Sequence, residues 1–165
     1  FIIGKKVIKY ELVGIVTAKE LISYSENKIL VVGEFKNGQW ENVVKYENGS
    51  INGEDFLLVS GNVYLVIASQ DIDIEFTGMD IVGEDIELNK LVGWNLVPTR
   101  VFTNSFSNTL DILSNPSYQY INQLGLWDRE IGMFIYTARD ESGSIYGESL
   151  GISDYDGIFV RVLSN

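Results

Sequence analysis

Short apolar runs rich in Val, Ile, Tyr and Phe recur along the chain, separated by clusters of Gly, Asn and Ser. That alternation predicts strands. It places them at 7–16, 29–35, 41–46, 62–69, 88–101, 118–127, 133–139 and 158–163. Two segments read differently. Thr17-Ala18-Lys19-Glu20-Leu21-Ile22 sets a threonine three residues ahead of a glutamate, the capping box that opens a helix. Its counterpart is Asn108-Thr109-Leu110-Asp111-Ile112-Leu113, which Asn115-Pro116 stops because proline cannot continue a helix.

The order of elements repeats. Glu47-Asn48-Gly49-Ser50-Ile51-Asn52-Gly53-Glu54 and Glu141-Ser142-Gly143-Ser144-Ile145-Tyr146-Gly147-Glu148 agree at six of eight positions, 94 residues apart (141 − 47 = 94). Such self-similarity marks a repeated structural unit. Around it, Lys45 matches Arg139, Gly38-Gln39-Trp40 matches Gly132-Met133-Phe134, and Phe35 falls near Trp127. Downstream, Val63-Tyr64-Leu65-Val66-Ile67 matches Ile158-Phe159-Val160-Arg161-Val162 after a one-residue slip. Upstream, Leu12-Val13-Gly14 matches Leu91-Val92-Gly93 at an offset of 79 (91 − 12 = 79). The second copy therefore carries 15 extra residues (94 − 79 = 15), expected within 103–119. The expected architecture is a β-rich α+β fold. It has two tandem pseudo-symmetric units of mostly antiparallel strands, each with one short helix, at 1–70 and 87–165. An acidic connector strand at 71–86 joins them.

An aromatic pair recurs with its sizes exchanged: Phe35 and Trp40 in one unit, Trp127 and Phe134 in the other. A swap that keeps total volume is what a packed core tolerates, so these four rings are expected inside. The rival reading is a sugar-stacking platform, which an exposed Trp–Tyr strip would favour. Gly49 with Gly143, and Gly53 with Gly147, are expected to supply positive φ in turns. They are not phosphate cradles, because no GxxxxGK[ST] and no strand–GxGxxG–helix context is present. Asn48-Gly49-Ser50 is also a formal glycosylation sequon, meaningful where the source modifies such sites.

Composition narrows the chemistry. At 165 residues and 45% hydrophobic, the chain suits one domain or two small ones and is too apolar for disorder. With 12 bases against 23 acids its net charge is −11, the wrong sign for binding nucleic acid. There is no His and no Cys. Histidine-based catalysis, thiol chemistry, disulfides and Cys/His metal sites are all excluded with them. Carboxylate pairs are too plentiful among 23 acids to be informative, and none occupies a recognisable apolar pocket that would raise its pKa. No enzyme activity and no cofactor is expected.

The connector is the most unusual stretch. Asp71-Ile72-Asp73-Ile74-Glu75-Phe76 alternates acid and apolar residues, so a strand there would put three carboxylates on one face. Asp80, Glu84, Asp85 and Glu87 follow with no intervening base. One reading is a solvated face that discourages edge-to-edge aggregation. The other is a hard-cation site, with Asp71, Asp73, Glu75, Asp154 and Asp156 as candidate ligands and Asp140-Glu141 nearby in type. None of these has calcium-loop spacing, so no tightly bound metal is expected.

The chain begins at Phe1 and not at Met, as a processed product would. Phe1-Ile2-Ile3-Gly4, followed by Lys5-Lys6, reads as a loose end before the first strand, or as the end of a longer apolar segment beside a membrane. By itself it is far shorter than the roughly 18 apolar residues of a spanning helix.

Leu91-Val92-Gly93-Trp94-Asn95-Leu96-Val97-Pro98 resembles the GWNLI-x-x-P strand of repeat modules in secreted and cell-surface proteins of bacteria and archaea. Those modules continue with a short helix, a strand ending in an aromatic residue, a Gly turn, another aromatic strand and a closing G-x-x-Y/F-x-V strand. Residues 110–113, 124–127, Gly132-Met133-Phe134 and Gly157-Ile158-Phe159-Val160 follow that order. The first unit has Leu12-Val13-Gly14 but Ile15-Val16 where Trp94-Asn95 stand in the second, and it closes on Gly61-Asn62-Val63-Tyr64-Leu65-Val66. The resemblance implies a non-catalytic extracellular or cell-surface module, structural or adhesive, within a larger surface protein or assembly. Its partners would be its own subunits or neighbouring domains, with a membrane reached only through a missing N-terminal segment. It transfers no functional residues. A Cys-free, acidic chain rich in Asn, Ser and Gly also suits a prokaryotic envelope exterior. Two alternatives stand beside it. One is a carbohydrate-binding module presenting Trp94, Trp127 and Tyr136 to glycans. The other is a filament or pilus subunit whose Phe1-Ile2-Ile3-Gly4 inserts into a neighbour. Buried rings favour the structural role, and a coplanar exposed strip favours glycan binding.

Overall fold

The computed structural model describes residues 2–3, 11–13, 17–26, 28–59, 62–72, 75–77, 87–128, 131–153 and 156–163. The chain divides into two compact units, Phe1–Gly83 and Glu84–Asn165.

The first unit runs β1 (Ile2–Ile3), β2 (Glu11–Val13), α1 (Ala18–Tyr24), β3 (Ile29–Lys36), β4 (Gln39–Lys45), β5 (Ile51–Asn52), β6 (Tyr64–Ala68) and β7 (Glu75–Thr77). Its main sheet has the order β1-β6-β3-β4-β5, and β2 and β7 form a separate parallel pair. A seven-residue helix does not persist alone, so α1 depends on its caps and its buried stripe. Thr17 Oγ1 accepts from the Glu20 N–H at 3.2 Å, and the Glu20 carboxylate accepts from the Thr17 N–H at 2.9 Å. Ala18, Leu21 and Ile22, at helical spacing, pack into a core with Ile29, Val32, Val43, Val66 and Ile72.

The second unit runs β8 (Gly93–Pro98), α2 (Arg100–Thr103), α3 (Thr109–Ser114), β9 (Ile121–Asp128), β10 (Met133–Arg139), β11 (Ile145–Gly147) and β12 (Gly157–Val162). Its sheet has the order β11-β10-β9-β12-β8 and is antiparallel throughout. Asn108 Oδ1 caps α3 by accepting from the Asp111 N–H at 2.9 Å. Ile112 and Leu113, both fully buried, pack on Leu124, Ile158 and Val160. Each such side chain gains about 1.5–3 kcal/mol on leaving water.

Four strands of one sheet match four of the other in order: β5, β4, β3 and β6 correspond to β11, β10, β9 and β12. Their registers agree residue by residue. Gly33 lies opposite Asn42 and Leu65, and Gly125 lies opposite Tyr136 and Phe159. Both central strands carry a bulge at the same point, Leu30 between Ile29 and Val31 and Asn122 between Ile121 and Gln123. The N-cap residues Thr17 and Asn108 form matching bridges to Leu57 and Gly151. Beside them Ala18 N–H donates to the Phe56 carbonyl and Thr109 N–H to that of Leu150, both at 2.9 Å. In the turns, Gly49 N–H donates to the Tyr46 carbonyl and Gly143 N–H to that of Asp140, and both glycines have φ of +85°. The fold is β-rich α+β, built on a repeated unit.

Several details differ from expectation. The closing strands need no slip: Val32 pairs with Val66 and Leu124 with Val160, so 66 matches 160 at the same 94-residue offset as the turns (160 − 66 = 94). Of the strand expected at 7–16, the described part is Glu11–Val13, and it joins β7 in the small sheet. Leu12 is therefore not the counterpart of Leu91, which lies ahead of β8. The place that β8 fills beside β12 is filled beside β6 by Ile2–Ile3, running parallel. The strand expected at 88–101 shortens to Gly93–Pro98, with a 3₁₀ turn at Leu88–Lys90 before it and helix from Arg100 after it. With Leu12 and Leu91 unmatched, the offset of 79 no longer fixes an insertion at 103–119. The helix N-caps stand 91 residues apart (108 − 17 = 91), and the matched glycines of β3 and β9 stand 92 apart (125 − 33 = 92). Between cap and central strand the second unit is therefore longer by one residue (92 − 91 = 1), and α2, ahead of Asn108, has no counterpart among the described residues of the first. Asp71 and Ile72 are not in a strand, and Ile72 belongs to the first core. Asp73, Asp80, Glu84 and Asp85 lie outside the described residues.

Candidate functional site

A twisted antiparallel sheet presents alternate residues to opposite faces. In the second unit Val97, Leu124, Ile158 and Val160 face the helices. The other face carries Trp94 and Leu96 from β8, Phe159 and Arg161 from β12, Gly125 and Trp127 from β9, and Phe134 and Tyr136 from β10. The three aromatic candidates Trp94, Trp127 and Tyr136 therefore share one face, and Phe134 and Phe159 link them. Trp94 meets Tyr136 at 5.9 Å and Phe159 at 6.3 Å between ring centroids. Phe134 meets Trp127 at 4.9 Å, Phe159 at 4.8 Å and Tyr136 at 6.3 Å.

These contacts are mostly edge to face. Interplanar angles are 60° for Trp94–Tyr136, 75° for Trp94–Phe159, 74° for Trp127–Phe134 and 85° for Phe134–Phe159. Each such pair contributes about 0.5–1.5 kcal/mol beyond its buried area. The rings brace one another and do not form a coplanar strip. Trp94 and Trp127 are half-buried, and the Trp127 Nε1–H is buried without a hydrogen-bond partner among the described residues. Tyr136 and, across from Ala138 on the same face, Tyr146 are the more open rings, at 37% and 60% exposure.

The expectation that Phe35, Trp40, Trp127 and Phe134 lie in the core is corrected here. Each pair is a cross-strand pair on the face away from the helix, and none of the four belongs to either buried core. The exchange of sizes survives as geometry: Phe35–Trp40 packs at 5.2 Å and 68°, close to its counterpart. The first unit has Asn42 where the second has Tyr136, and Leu65 where it has Phe159, so among the described residues the five-ring cluster is found in the second unit. The register of the hairpins, had it been read through the strands, would have grouped these rings.

Of the acidic candidates, Asp156 is engaged in a turn. Asp156 Oδ2 accepts from the Ser153 hydroxyl at 2.5 Å, and the Asp156 carbonyl accepts from the Thr99 N–H at 2.9 Å and hydroxyl at 2.8 Å, which makes it a turn residue. Asp71 is half-buried, Glu75 lies in β7, and Asp73 and Asp154 fall outside the described residues. Among the described residues no three Asp or Glu side chains gather where they could hold a metal.

Hydroxyl chemistry is equally committed. Ser25-Glu26-Asn27-Lys28 has the S-x-x-K spacing of some acyl-transfer nucleophiles. The Ser25 hydroxyl, however, is buried and donates to the Ile22 carbonyl at 2.6 Å while accepting from the Ile29 N–H at 2.9 Å. It closes α1. In the second unit Thr109 and Thr137, both fully buried, form a directed chain. Leu150 N–H donates to Thr109 Oγ1, Thr109 donates to Thr137, and Thr137 donates to the Glu148 carbonyl.

Among the described residues no helix is long and apolar enough to cross a membrane. No family model, no curated protein and no solved structure matches the chain.

Proposed function

We propose that this chain is a non-catalytic cell-surface module, structural or adhesive, that works through its sheet faces and edges. The observation that carries the reading is the use made of its unusual residues. The positive-φ turn glycines, the bulges and the cross-strand aromatic pairs recur at matched positions in both units, and each serves the backbone or the packing of its own unit. A unit that brings its own core can be repeated to lengthen a surface structure. The lack of His and Cys and the engagement of Ser25, Thr109 and Thr137 argue against chemical turnover. The resemblance of Gly93-Trp94-Asn95-Leu96 to surface repeat modules supports an exported location.

The test is protease shaving of intact source cells together with the native mass of the released material. Cleavage of this chain on intact cells, in a species larger than one copy, supports the proposal. A monomeric protein protected inside the cell overturns it. Glycan binding is the second reading, favoured by Tyr136 and Tyr146 standing exposed on one face. Specific glycan retention that Tyr136→Ala and Tyr146→Ala abolish, without loss of folding, would put that reading first.

A further inference from the structure

The turn between β4 and β5 contains a residue the fold does not demand. Asn48, Gly49 and Ser50 are exposed. Asn48 Oδ1 accepts from the Ser50 N–H at 3.0 Å and from the Ser50 hydroxyl at 2.7 Å. The sister turn between β10 and β11 closes with the same backbone hydrogen bonds and the same φ at its glycine. It has Ser142 in place of Asn48 and uses Asp140 to hold Ser142 and Ser144. An amide at 48 is therefore only one way to close this turn. What it adds is an N-x-S sequon, the one in the chain, since Asn115-Pro116-Ser117 is barred by its proline.

We infer that Asn48 is an attachment site for an N-linked glycan. The inference rests on the cell-surface reading, because glycan transfer of this kind acts on exported chains. The geometry suits the chemistry. Asn48 spends its oxygen on Ser50, and its Nδ2 has no hydrogen-bond partner among the described residues. Two donors on the amide oxygen draw electron density from Nδ2 and make its protons easier to remove. A lipid-linked pyrophosphoryl oligosaccharide supplies the sugar. The Nδ2–C1 bond forms, the bond from C1 to the pyrophosphate oxygen breaks, a base of the transferring enzyme takes one Nδ2 proton, and the lipid pyrophosphate leaves. The attached glycan would stand on a solvent-facing turn, clear of its own unit's core.

Mass spectrometry of the peptide spanning 46–54, from protein isolated from its source, tests this. A glycan mass on Asn48 is expected, lost in Asn48→Gln and in Ser50→Ala and kept in Ser50→Thr. The double variant Tyr46→Asp with Asn48→Ser copies the sister turn and should fold normally without the glycan, which separates loss of the site from loss of structure. Bare Asn48 in protein that shaving finds on the cell surface overturns the inference and leaves the surface reading standing. Recovery only from the cell interior, with Asn48 bare, overturns both.

Discussion

Tyr136 occupies the space above Gly125. The two face each other across the β9–β10 ladder, and a Cβ at 125 would lie 2.5 Å from Tyr136 Cε1 and 2.6 Å from Cδ1. The glycine lets the ring lie down on the sheet, where it meets Trp94 and Phe134. The first unit keeps the same vacancy at Gly33 and fills it with Asn42. A glycine in a central strand is weak by itself, and a cross-strand ring laid over it restores the missing packing.

Gly125→Ala should therefore destabilise the second unit by about 1–3 kcal/mol, the cost of overpacking. In a Tyr136→Ala background the same change should cost much less, because the ring no longer competes for the space. Urea unfolding of the four proteins in this cycle measures the coupling. Equal costs of Gly125→Ala in the two backgrounds would show that Tyr136 is not what the glycine accommodates.

Gly143, in the β10–β11 turn, and Gly147, at the end of β11, should differ in tolerance. Gly143 has φ of +85° with open space where a Cβ would stand. Gly143→Ala should cost only the backbone penalty, roughly 1–2 kcal/mol. At Gly147, φ is +95° and the Cβ would also collide with the Tyr136 carbonyl oxygen, which is backbone and cannot step aside. Gly147→Ala should lower the melting temperature more than Gly143→Ala, and Gly53→Ala should behave likewise because it meets the Asn42 carbonyl. The reverse order would place the strain elsewhere in the turn.

Much of this was legible in the residues and some was not. The eight-residue match located both turns, the Thr17 capping box located α1, and its counterpart stopped by Asn115-Pro116 located α3, whereas α2 starts inside the strand expected at 88–101. The face carrying the aromatic rings was not legible, because β9 is apolar on both sides: Leu124 and Leu126 on one, Trp127 on the other. Period two then says which residues share a face but not which face the helix covers. The bulges compound this. Ile29 and Val32 are three apart yet both lie in the core, as do Ile121 and Leu124, because one extra residue reverses the alternation. The pairing of the edge strands is hidden in the sequence for a different reason. Which short apolar segment lies beside β6 or β12 is decided by tertiary pairing, and neither Ile2–Ile3 nor Gly93–Pro98 announces its partner.

The buried hydroxyl chain of Thr109 and Thr137 replaces an apolar pair. The corresponding positions of the first unit are Ala18 and Val43, both fully buried. Thr137→Val alone leaves the Glu148 carbonyl without its hydroxyl donor and should cost about 1–3 kcal/mol. Adding Thr109→Ala copies the first unit at both places and removes the stranded Thr109 hydroxyl. The double variant should therefore lose less than the two single losses combined, read from chemical denaturation. Strict additivity would mean that the two hydroxyls act independently.

Acid should act on the two sister turns differently. Asp140 Oδ1 accepts from the Ser142 hydroxyl at 2.6 Å and from the N–H groups of Ser142 at 2.8 Å and Ser144 at 3.0 Å. The Ser142 hydroxyl, foremost, and these backbone donors hold the Asp140 carboxyl below its usual value. A carboxylate with a depressed folded-state pKa contributes stability that is fully present above its unfolded value, about 4, and is lost as pH falls through the folded value. In the first unit the equivalent work on Ser50 is done by Asn48, whose amide does not titrate. Below about pH 4 the amides of Ser142 and Ser144 should lose hydrogen-exchange protection before that of Ser50. Asp140→Asn should abolish the pH dependence at Ser142 and Ser144 while leaving the turn closed, because the amide oxygen still accepts. If the Ser50 and Ser142 amides instead respond to acid alike, the Asp140 carboxylate has no special part in holding its turn.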